Sequence, residues 1–178
     1  MTSFILIDVE VESRGNGTPF SSRMSEFGCV DLKTGRAFEG LLFNASPDEG
    51  NPALSVIVDD PAFTDHTRRN VFKSFQNWLD SFEDRIVFVS DNNGFDLAFF
   101  NFTWDKYMNC KSPAGHSSRR ISDIWAGMQA ASGKKTWRDT QSWKKFRVTK
   151  HSHRAVEDSM GNREALLHML EMYDQEIL

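Results

Sequence analysis

Hydrophobic and polar positions along the chain divide it into short strands followed by longer helices. Residues 4–10, FILIDVE, form an apolar run that turns acidic at Asp8 and Glu10, which predicts a strand. The stretch 13–22, SRGNGTPFSS, carries the Gly, Asn, Pro and Ser of a loop. MSEFGCVDL (24–32) reads as a second strand, and Lys33–Gly35 as a turn into a third, RAFEGLLF (36–43). Pro47 to Pro61 shows no period and reads as irregular. Between His66 and Phe82 the apolar residues Val71, Phe72, Phe75, Trp78, Leu79 and Phe82 recur at three- and four-residue spacing, which predicts an amphipathic helix. RIVFVS (85–90) predicts a short buried strand. Helices follow over 94–108, with Phe95, Phe99, Phe102 and Tyr107 toward one side, and over 119–131 after a turn at 115–118. The last helix is expected over 153–174, with Ala155, Val156, Met160, Leu166, Leu167 and Leu170 on its apolar face.

Strands alternating with helices, without an internal repeat or linker, predict one α/β domain over residues 1–178: a mixed sheet covered by helices. Aromatic residues make up 12% of the chain, 15 of them Phe, so a folded core is expected. No apolar run approaches the ~20 residues that span a bilayer. The N-terminus lacks the basic region of a signal peptide, and the two cysteines, Cys29 and Cys110, form no disulfide or zinc framework. The expectation is a cytoplasmic protein with no membrane partner. A net charge of −4 argues against a broad basic face for duplex nucleic acid, but it is compatible with a site that holds a few nucleotides of one strand.

The candidate chemistry lies in carboxylates. Alternate side chains of a strand share a face, so Asp8 and Glu10 project together, and a hard cation such as Mg²⁺ or Mn²⁺ relieves their repulsion. With 25 acids in 178 residues, about one Asp-x-Glu is expected by chance, so this pair alone decides nothing. Asp96 follows a buried strand in the first turn of a helix, where it also complements the helix dipole. His153 and Asp158 are five residues apart in HRAVEDSMGNREALL, and both reach one cleft if His153 starts the helix or precedes it. Glu12 shares the strand face of Asp8 and Glu10 and reads as a solvated strand end. His66, His116, His151 and His168 show no partner pattern.

Taken in order, Asp-x-Glu on the first strand, Asn-x-x-Phe-Asp after an inner strand and His-x-x-x-x-Asp at a C-terminal helix resemble the DEDDh 3′–5′ exonucleases. The resemblance is carried by FILIDVE, SEFGCV, DNNGFDLAFF and HRAVEDSMGNREAL, and runs from about residue 4 to 170. It implies an RNase H-like fold, a five-stranded mixed β-sheet flanked by α-helices. It also implies that Asp8, Glu10, Asp96 and Asp158 hold two divalent cations, Mg²⁺ or Mn²⁺, with His153 as general base. The implied partner is the 3′ end of a single-stranded nucleic acid, DNA or RNA, cut to nucleoside 5′-monophosphates. Val11 and Phe95 are candidates to pack on the terminal sugar or base, and Asn92 either bonds a phosphate or caps the next helix. Asp91 stands where family members often carry His, and Val11 and Glu12 replace small hydroxyl residues, which leaves the subfamily open. The interleaved Lys, Arg, Trp and Phe of residues 133–154 suit a single strand, with Arg119 and Arg120 a weaker instance. The oligomeric state is open, a homodimer included. The alternative is a catalytically silent domain of the same fold that binds nucleic acid or a protein.

Overall fold

Along the first strand, β1 (Thr2–Val11), the even and odd positions serve two different layers. Ile5, Ile7 and Val9 enter one hydrophobic cluster, whereas Leu6 enters another on the opposite side of the sheet. The Leu6 side continues as Asp8 and Glu10, so one face of one strand changes from core to acid within four residues. A computed structural model describes residues 2–12, 18–47, 55–115, 118–133 and 140–174.

Strand β1 is central. It pairs antiparallel with β2 (Met24–Asp31), which pairs antiparallel with β3 (Ala37–Leu41). On its other side β1 runs parallel to β6 (Arg85–Ser90), and β6 runs parallel to β7 (Arg119–Arg120), giving the order β3-β2-β1-β6-β7. This is the expected five-stranded mixed sheet. Its fifth strand differs from the sequence reading, which placed Arg119 and Arg120 inside a helix. The helix α3 starts at Ile121 and ends at Ala131, because the two arginines first pair with Val89 and Ser90. The segment around Pro47–Pro61 also departs from the irregular reading. Strands β4 (Asn44–Pro47) and β5 (Ser55–Val58) form a separate antiparallel pair there.

Helices α1 (Asp65–Asp80) and α2 (Asn93–Met108) cover one face of the sheet, where Phe27, Phe72, Phe75, Phe100 and Trp104 are fully buried against one another. The expected apolar side of α2 was Phe95, Phe99, Phe102 and Tyr107. In the fold, its buried residues include Leu97, Phe100 and Trp104, while Phe102 reaches solvent. Packing against both the sheet and α1 leaves α2 with no single apolar stripe.

Helix α3, a 3-10 helix (Ser142–Phe146) and α4 (Ala155–Met172) cover the other face. There Trp143 is fully buried, donating its indole N–H to the Thr140 carbonyl at 3.1 Å, so this ring of the basic stretch belongs to the core. Trp137 and its neighbours over 134–139 lie outside the described residues. The start of α4 crosses β2 at Gly28, where an added Cβ would stand 2.1 Å from the Val156 nitrogen. Ser159 Oγ donates to the Gly28 carbonyl at 2.9 Å, and Gly28 is the cross-strand partner of Asp8. This close approach sets the acid-bearing end of α4 beside the acids of β1.

Candidate active site

Four carboxylates from three elements meet at the C-terminal end of β1. Asp8 and Glu10 come from β1, Asp96 from the first turn of α2, and Asp158 from the first turn of α4. Oxygen atoms of Asp8, Glu10 and Asp158 lie within 4.8 Å of one another, as do those of Asp8, Asp91 and Asp96. Asp8 belongs to both sets. A cleft of about 740 Å³ opens over them, lined by Asp8, Glu10 and Asp96 and also by Asn92, Phe95 and His153. Val11 does not line this cleft; its side chain packs on the α1–α2 core.

The charges are poorly solvated and crowd one another. Burial, followed by repulsion from Asp158, Glu26 and Asp96, pushes the Glu10 carboxyl up to about 8. Burial raises Asp96 to about 7, against the opposing hydrogen bond from Ser90. Asp8 is raised well above the usual carboxylate range, first by burial and then by Asp96, Glu10, Asp91 and Asp158. Ser90 Oγ donates to Asp96 and accepts the Asn92 N–H at 2.9 Å, fixing the turn that leads into α2. Asn92 occupies the N-cap position without a side-chain capping bond; its carbonyl accepts the N–H of Phe95 and Asp96.

Asp158 is only 1% exposed. Its Oδ1 accepts the Ser152 N–H at 3.2 Å. All-oxygen donors and an acid shared between two sets fit hard divalent cations.

His153 precedes α4 in a left-handed conformation (φ 56°), which costs a non-glycine residue about 1–3 kcal/mol. Its Nδ1 is 3.9 Å from Glu10 Oε2, and half of its side chain is exposed to the cleft. Next to it, edge-on at 4.3 Å between ring centroids, lies His151, whose Nδ1 is 2.7 Å from Asp158 Oδ2. The sequence reading gave His151 no partner; the backbone turn between the two histidines supplies one. Glu12 is likewise not a solvated strand end. It is buried and paired with Arg23, whose Nε lies 3.0 Å away.

Basic residues line the same cleft beside the acids. Lys144 and Arg147 stand 3.1 and 3.7 Å from Asp91 Oδ2, and an Arg147 nitrogen is 4.0 Å from Asp158 Oδ1. Lys145, Lys150 and Arg120 line the cleft too. Arg147 and Asp91 are 56 positions apart, so no spacing rule could have brought them forward, although the basic stretch itself was apparent.

No protein-family model matches the chain, and no curated protein matches it by sequence. Solved structures do match. Cell-death related nuclease 4 (CRN-4) superposes with a TM-score of 0.63 at 16% identity over 96% of this chain. This chain spans only 64% of the CRN-4 chain. The nuclease domain of 3′hExo, a DEDDh family member bound to rAMP, superposes with a TM-score of 0.58 at 14% identity. That match covers 96% of this chain and 92% of the 3′hExo domain. The fold is of the DEDDh exonuclease type. Among the described residues no helix is long and apolar enough to cross a membrane.

Proposed function

We propose that the chain is a 3′–5′ exonuclease that removes nucleoside 5′-monophosphates from single-stranded nucleic acid with two divalent cations. The observation that carries this reading is the convergence of Asp8, Glu10, Asp96 and Asp158 in two oxygen sets sharing Asp8, on a DEDDh exonuclease-type fold. A neighbouring nuclease domain of that fold holds rAMP, the kind of product this reaction releases.

Asp8, Glu10 and Asp158 would hold one cation, and Asp8 with Asp96 the second, Asp91 lying close enough to contribute. When bound, the two cations supply charge neutralisation at the scissile phosphate and at the attacking and leaving oxygens. The chain supplies the rest. His153, free on the cleft side and beside Glu10, accepts the proton of the attacking water. Phe95 and Asn92 line the same cleft and orient the terminal nucleotide, while Lys144, Lys145 and Lys150 face the phosphates behind it. Asp91 restrains Lys144 and Arg147, so these cations are partly committed before substrate arrives.

The test is digestion of 5′-labelled single-stranded DNA and RNA with Mg²⁺, Mn²⁺ or EDTA. A descending ladder that EDTA abolishes is expected with at least one of the two nucleic acids. Full activity in EDTA, or dependence on a free 5′ end, would contradict the assignment.

A further inference from the structure

A second concavity of about 470 Å³ is lined by Glu12, just past the end of β1, by the turn that leads into β2, and by the C-terminal half of α2. Glu12, two residues past Glu10, forms part of its wall, and Phe102 and Lys106 of α2 form another. Phe20 stands at its rim, 89% exposed, in edge-to-face contact with Phe102 (ring centroids 5.3 Å, 69°), itself 40% exposed. A single exposed Phe is unremarkable, but two paired in solvent over a groove call for a function. The turn that carries Phe20 is built: the N–H groups of Ser21 and Ser22 both donate to the Thr18 carbonyl, at 3.0 and 2.9 Å. These bonds fix the backbone that carries the ring.

Charge and continuity decide what the groove takes. The one acid in its wall, Glu12, is neutralised by Arg23 through Nε at 3.0 Å and a terminal nitrogen at 3.1 Å. Lys106 remains beside the rings, its ammonium over the Tyr107 face at 5.2 Å. On α2, Phe95 in the catalytic cleft and Phe102 in the second concavity lie seven residues apart, with the buried Phe99 between them. At 1.5 Å per residue, Phe95 to Phe102 is roughly 10 Å. A stacked strand advances about 3.4 Å per nucleotide, so that length corresponds to about three nucleotides.

Resting on the exonuclease reading, we propose that the Phe20–Phe102 pair is a base-stacking subsite for a nucleotide upstream of the 3′ end, with Lys106 on its phosphate. Aromatic faces take any base, so this subsite grips length and single-strandedness rather than sequence. A dinucleotide that fills the catalytic cleft does not reach it.

Phe20→Ala tests the subsite without disturbing the core. With single-stranded octamers of the nucleic acid that the wild type degrades, KM should rise about 5- to 100-fold while kcat is kept. With a dinucleotide both constants should match wild type, and Phe20→Trp should restore the octamer KM. An unchanged octamer KM, an equal loss on dinucleotide and octamer, or a change confined to self-association would overturn the subsite; the last would make the pair a contact between copies. If the wild type cleaves neither DNA nor RNA, the catalytic reading fails by itself. The groove is then judged by binding of an unlabelled octamer to wild type and Phe20→Ala in chelator. Weaker binding by the variant supports it, and equal or absent binding overturns it.

Discussion

Nδ1 of His151 stands 2.7 Å from Oδ2 of Asp158, while His153, five residues before Asp158 in the chain, faces Glu10 at 3.9 Å. The two neighbouring imidazoles therefore address different acids. If His153 is the base, His153→Ala should lose about 10²–10⁴-fold in kcat with little change in the cation concentration needed for half activity. His151→Ala, which frees the Asp158 oxygen that His151 faces, should leave kcat within a few-fold and lower that cation requirement. Steady-state rates against Mn²⁺ concentration separate the two. The reverse pattern would give the proton transfer to His151.

Replacing one acid by its amide should separate activity from stability. Asp8→Asn, Glu10→Gln, Asp96→Asn and Asp158→Asn each remove a donor, so turnover should fall roughly 10³-fold or more. Each also removes an acid whose ionisation in this crowded cluster is opposed by its neighbours, so in EDTA at pH 8 thermal stability should hold or rise. Thermal melts and single-turnover rates on the same samples check both halves. A variant that keeps near-normal turnover strikes that residue from the site.

The raised carboxyls make metal-free stability depend on pH. Glu10 in the fold keeps its proton up to about pH 8, whereas in the unfolded chain it releases it near 4.5. Over that window the folded state binds the extra proton, so stability is full below about 4.5 and declines as pH rises toward 8, by at most about 1.4 kcal/mol per unit for one proton. Asp96 and Asp8 add to the slope in the same direction. In EDTA the melting temperature should therefore fall from pH 5 to 8, and Glu10→Gln should flatten that fall. Mn²⁺ binding at pH 7 should release protons, seen as a buffer-dependent heat.

The chain's local patterns made β1, β2, β6 and the two long helices α1 and α4 legible, because each has a period that its own neighbours satisfy. Asp8, Glu10, Asp96, Asp158 and His153 were readable as positions through the order of three short motifs. What escaped depends on partners distant in sequence. Arg119 and Arg120 make a two-residue strand only because β6 offers an open edge, and two residues show no period. Trp143 looked like a surface ring among lysines, yet its indole N–H finds the Thr140 carbonyl and the ring enters the core. His151 gained its acid from a turn, and Asp91 its arginine from a segment 56 positions away. Phe20, inside a stretch readable only as loop, showed no sign of its pairing with Phe102.

The placement of Asp158 should be testable without touching any of the acids, at Gly28. A Cβ there would meet the backbone of α4 at 2.1 Å from Val156 N and 2.2 Å from Ala155 C, and neither is the movable end of a side chain. Overpacking of this kind typically costs 1–3 kcal/mol, and against backbone the upper end is expected, so Gly28→Ala should lower the melting temperature by roughly 6–12 °C. Gly127 in α3 is the control, since a Cβ there meets nothing within 4 Å; Gly127→Ala should leave stability unchanged or raise it by up to about 1 kcal/mol. Where Gly28→Ala still folds, α4 must lift from β2, stretching the 2.9 Å bond from Ser159 to the Gly28 carbonyl and carrying Asp158 away from Asp8 and Glu10. The cation requirement should then rise and kcat should drop, while octamer binding, made largely along α2, should change little. A folded Gly28→Ala with wild-type cation dependence would show that the seat of α4 on β2 does not set the position of Asp158.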